Sequence, residues 1–160
     1  MHSFLYSWDQ IYAMELENFT DHGDEGEIWF GKAVERKVLD WIKKNTDASI
    51  RILDLGCGNG HFILKLIENG MDNVVGLDYS ETALLLAKNL LSESKVSKEL
   101  QETDDRFFAA DILNVDSVPK ILLGSFDLIV DKGTFDAISL NPEITGSSKT
   151  TTIAEAFKST

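Results

Sequence analysis

The sequence predicts a doubly wound α/β fold, a parallel sheet wrapped by helices, from three observations. Apolar runs of strand length alternate with stretches of helical period. The first run leads directly into "DLGCGNG" (54–60), with glycines at 56, 58 and 60. The next two runs also end in an acid, Asp78 and Asp111. Strands alternating with helices imply right-handed crossovers, and these lay the strands parallel.

Taken in order, "SWDQIYAMELENF" puts Trp8, Ile11, Tyr12, Met14 or Glu15, and Phe19 near one helical stripe, and Ser7 with Gln10 has the spacing of a capping box. The acidic, glycine-punctuated "TDHGDEGEIWFG" follows as a loop carrying Trp29 and Phe30 outside any core period. Val34, Val38, Leu39 and Ile42 mark a second helix over 32–45. Strands are expected at 50–55, 73–78, 106–111 and 126–131. The segment 60–70 reads as a helix ended by Gly70, and Ser80 as the cap of a long helix. "SKVSKELQETDD" is a polar connector, and helical turns around Pro119 lead to the fourth strand. Residues 1–142 form one domain by this pattern, and 143–160, with "TGSSKTTT", a low-complexity tail.

At 160 residues with 43% hydrophobic content, the chain is long enough for a core. Its net charge of -12 argues against a sequence-independent nucleic-acid binder, which gains affinity by neutralising phosphates, and suits a basic partner or simply solubility. Cys57 is the single cysteine, so no internal disulfide forms, and inside the glycine loop it reads as a packing residue. His2, His22 and His61 show no ligand spacing, so no metal is expected. No apolar run approaches the roughly 20 residues that span a bilayer, and the expectation is a soluble cytoplasmic protein without a membrane partner.

In such sheets ligands sit beyond the carboxyl ends of the strands, at the first βα turn. A dinucleotide site carries G-x-G-x-x-G with a pyrophosphate at the helix N-terminus; here the spacing is G-x-G-x-G with Asp54 at the strand end. A carboxylate repels a pyrophosphate and attracts an amino or sulfonium group, which points to S-adenosyl-L-methionine. Asp78, 24 residues beyond Asp54, is placed to accept from both ribose hydroxyls, and Tyr79 offers a face to the adenine. Asp111 and Ile112 fit the adenine amino group and ring.

Two longer stretches, "GDEGEIWFG" (23–31) and "DKGTFDAISLNP" (131–142), narrow the reading. Through them the chain resembles class I methyltransferases, and within those the lysine methyltransferases of translation elongation factor 1-alpha, the methyltransferase-like protein 10 family. The resemblance implies an S-adenosyl-L-methionine-dependent protein-lysine methyltransferase with Trp29 near the cofactor mouth. It places Asp131 on the substrate side, holding or orienting the lysine or the cofactor's amino group. It also implies seven strands ordered 3-2-1-4-5-7-6, of which only the 3-2-1-4 part is expected here, with strand four as an edge. The alternatives are a catalytically silent cofactor-binding module and, on a similar sheet, a nucleotide-linked oxidoreductase.

Overall fold

The computed structural model describes residues 2–139 apart from 25, 29, 30, 97, 102–105 and 125. Its elements are α1 (His2–His22), α2 (Gly31–Asn45), β1 (Ile52–Leu55), α3 (His61–Glu68), β2 (Val74–Asp78), α4 (Glu81–Glu93), α5 (Lys98–Gln101), β3 (Phe107–Ala109), β4 (Leu128–Asp131) and α6 (Thr134–Ser139). All strand pairings are parallel, in the order β3-β2-β1-β4, as the alternation predicts.

Strand side chains alternate between two faces, and here both faces are apolar. Ile52 and Val74 join a cluster with Phe62, Ile63 and Leu66 of α3, Leu84 and Ala87 of α4, and Ile42 of α2. Leu53, Val75 and Leu77 point the other way, onto Val118 and Leu122. Among the described residues that second face is covered by two 3-10 turns, Val115–Ser117 and Lys120–Leu122, the helical turns expected around Pro119. β4 is the sheet edge among the described residues, with Ile129 38% exposed.

Two local expectations change and one open choice is settled. α1 begins at His2, so Ser7 lies inside the helix and not at its start. Of the two candidates at its fourth turn, Glu15 is buried and Met14 exposed, because Tyr12, Glu15 and Phe19 share the stripe facing inward. That stripe docks on α4, where Phe19 packs with Leu86 and Leu90. In α2, Val34 is exposed and Glu35 takes the inward position, made tolerable by a buried partner, His61.

Candidate functional site

The carboxyl ends of β1, β2 and β4 converge on the glycine loop. Gly56 and Cys57 both donate their backbone N–H to the Leu77 carbonyl, at 2.7 and 3.0 Å, which folds the loop back over β2. Gly56, Gly58 and Gly60 all have left-handed backbones, with φ of 69, 53 and 73°, a region that side chains resist. The space at each glycine receives a neighbour. A Cβ at Gly58 would stand 2.5 Å from the Tyr12 hydroxyl, one at Gly60 would stand 2.6 Å from the Ala87 Cβ, and one at Gly56 would overlap Thr134. The bareness that the sequence reserves for a ligand thus also lets α1, α4 and α6 close onto the loop.

Asp54 is fully buried, and Lys132 Nζ donates to both of its carboxylate oxygens at 2.8 and 2.9 Å. The same ammonium lies 4.7 Å from the Phe62 ring centroid, a cation–π contact. Burial pushes the Asp54 carboxyl above the usual carboxylate range, and Lys132 opposes it. Asp54 is therefore an anion matched within the chain, unlike the bare attractor the sequence suggests.

Asp78 uses both oxygens. Oδ2 accepts from Gly58 N–H at 2.9 Å and Oδ1 from Ser80 N–H at 3.0 Å, so one side chain pins the glycine loop and the entry to α4. Burial pushes its carboxyl up and these amides hold it down. The Tyr79 backbone amide bonds the same carboxylate, and a carboxylate has about four lone-pair positions, so about one remains for a hydroxyl donor. Beside it the Tyr79 phenol is pushed up by burial and by Asp9 and Asp78, which keeps it a neutral donor.

Asp111 is exposed, its Oδ1 accepting from Leu113 N–H at 2.9 Å. Ile112 is half-buried against the second core cluster. Asp131 caps α6: Oδ1 accepts from Gly133 and Thr134 N–H, both at 2.8 Å, and Oδ2 from Phe135 N–H at 3.0 Å. Trp29 and Phe30 lie outside the described residues.

Sequence reasoning missed Lys132, although it lies within 131–142; Tyr12, read as a core stripe residue, is buried there and its hydroxyl also meets the glycine loop at Gly58. Burial raises the Tyr12 phenol, as do the nearby Asp78 and Glu15 carboxylates. The Glu35–His61 pair, 2.9 Å apart and buried on both sides, had no signal, because its members sit 26 residues apart on different helices.

A methyltransferase-domain family pattern matches residues 46–158. The chain belongs to that methyltransferase family. It is 42% identical over 137 residues to the EEF1A lysine methyltransferase 2 of Danio rerio, covering 85% of this chain and 54% of the relative. It is 40% identical to the protein-lysine N-methyltransferase efm4 of Schizosaccharomyces pombe, covering 86% and 60%, and 38% identical to the human EEF1A lysine methyltransferase 2, covering 85% and 54%. The methyltransferase chain thus spans only part of the length of these relatives. Magnesium protoporphyrin IX methyltransferase of Synechocystis PCC 6803, solved with bound SAM, superposes with a TM-score of 0.55 at 16% identity over 91% of this chain, a likeness of fold.

The cofactor that this family implies, S-adenosyl-L-methionine, carries two ribose hydroxyls, a carboxylate, an amino group and a sulfonium. The donor set at the strand ends fits these groups: Asp78 has acceptor capacity left, and Lys132 and Asp54 present one charge of each sign side by side.

Proposed function

We propose that the chain is an S-adenosyl-L-methionine-dependent protein-lysine N-methyltransferase whose substrate is translation elongation factor 1-alpha. The observation that carries the proposal is the 42% identity, over 85% of this chain, to a protein named EEF1A lysine methyltransferase 2. We assign the domain to 1–142 and the compartment to the cytoplasm; no described helix is long and apolar enough to cross a membrane. The net charge of -12 suits a basic protein substrate.

In this reading Asp78 accepts from a ribose hydroxyl, Tyr79 and Ile112 flank the adenine, and Asp111 meets its amino group. Gly56, Gly58 and Gly60 carry the loop beneath the methionyl arm, with Trp29 at the mouth. Lys132 and Asp54 flank the methionyl arm as a paired cation and anion. When bound, the cofactor supplies an electrophilic methyl on a sulfonium.

The substrate amine must arrive unprotonated. From an ordinary lysine pKa near 10.4, that costs roughly 4 to 5 kcal/mol at pH 7. Partial burial and a nearby positive charge lower that cost without a dedicated base. Asp131 already accepts from three backbone amides, which fix the direction its carboxylate faces. Its role is accordingly to orient the incoming lysine, while its negative charge works against deprotonation.

The test is to incubate the purified chain with elongation factor 1-alpha and methyl-labelled cofactor, then map modified residues by mass spectrometry. Methylation confined to lysine is expected. Absence of label with enzyme in excess, in a chain that still binds S-adenosylhomocysteine, would replace the enzyme with a silent binding module.

A further inference from the structure

We propose that Asn59 is a positioning residue that latches residues 26–28 onto the glycine loop and so slows release of bound cofactor; the second half rests on the cofactor reading above. Asn59 is buried at 6% exposure. Its Nδ2 donates to the Glu27 carbonyl at 3.2 Å, and its Oδ1 accepts from His61 N–H at 3.2 Å, at the start of α3. A carbonyl on one side and an N–H on the other fix which way the amide faces.

The other polar group of Glu27 is also taken. Its N–H donates to Glu15 Oε1 of α1 at 3.0 Å, so this one backbone unit is held between α1 and the glycine loop. The approach is close on both sides: a Cβ at Gly26 would stand 2.8 Å from Glu15 Oε2 and 3.1 Å from Asn59 Nδ2. Gly26 also has a φ of 80°, so a side chain there is opposed by conformation as well as by space. Meanwhile α1 places the Tyr12 hydroxyl against Gly58, next to the residue that makes the latch.

Holding α3 needs only an acceptor, which aspartate or serine provides equally well. Holding Glu27 needs a donor as well, at the reach of an amide. Asparagine supplies both, and this separates the latch from the helix cap.

The test uses Asn59→Ser and Asn59→Asp, which keep an acceptor for His61 N–H, and Gly26→Ala, which disturbs the latch from its other side. Hydrogen exchange on the chain without ligand should speed up roughly 3- to 10-fold at residues 26–28, the worth of one hydrogen bond, with α3 amides unchanged. With S-adenosylhomocysteine as probe, dissociation should accelerate by a similar factor in all three variants. Unchanged exchange at 26–28, or α3 loosening to the same extent, would overturn the latch. Faster exchange with unchanged dissociation would overturn the retention role. An effect in Asn59→Asp alone would assign the change to added charge and overturn the proposal. If the wild-type chain does not bind the probe, the cofactor reading and retention both fall, while exchange still decides the latch.

Discussion

Asp54 shows how a residue legible in sequence can still hide its partner. Its place at a strand end before a glycine turn is a local pattern, but its partner, Lys132, is 78 positions away and no periodicity joins them. The pair is buried: the Asp54 side chain is 0% exposed and that of Lys132 14%. Removing one member of a buried pair strands the other charge, which costs roughly 3 to 5 kcal/mol. Lys132→Met should therefore lower unfolding stability by about that amount in urea denaturation, and adding Asp54→Asn should restore most of the loss. Asp78 and the three glycines were legible for the same local reason. The contacts that define them, from Tyr12 and Thr134, came from helices elsewhere in the chain.

At the scale of elements, the apolar runs located all four strands, and the structure trims their ends. β1 begins at Ile52, whose N–H donates to the Asn73 carbonyl at 2.9 Å; Ile50 packs on the core without joining the ladder. Strand ends are set by where a neighbouring strand starts, a fact the strand's own residues do not carry. Capping was legible where one side chain decides it. Ser80 Oγ accepts from Ala83 N–H at 3.3 Å, while Ser7, with equal claim by spacing, sits inside a helix that runs on past it. Ser80→Ala should cost about 1 kcal/mol, read from thermal or urea denaturation. Ser7→Ala gives no cap loss to measure, which makes it the matched control.

Across the whole molecule, charge and burial act in the same direction. The carboxyls of Glu15, Asp54 and Asp78 are all raised, with burial as the largest cause. A carboxyl that holds its proton more tightly folded than unfolded contributes stability below its unfolded value, near 4, and loses it as pH rises through the raised folded value. The net charge of -12 at pH 7 adds self-repulsion that also grows with pH. Urea midpoints should therefore fall as pH rises from about 4 through the raised folded values. Glu15→Gln should flatten part of that slope while keeping an acceptor for Glu27 N–H. Glu15 Oε2 is buried without a hydrogen-bond partner among the described residues, so neutralising this side chain removes a burden from the folded state.

The most direct measurement is a calorimetric titration of S-adenosylhomocysteine into the 160-residue chain, with NAD titrated in parallel. Saturable one-to-one binding of S-adenosylhomocysteine is predicted, with no heat of binding from NAD. Asp78→Asn should weaken the affinity roughly tenfold, because a hydrogen bond to a charged acceptor becomes one to a neutral acceptor. No saturable binding by a folded chain, or binding of NAD in its place, would contradict a methyl-donor site at the glycine loop.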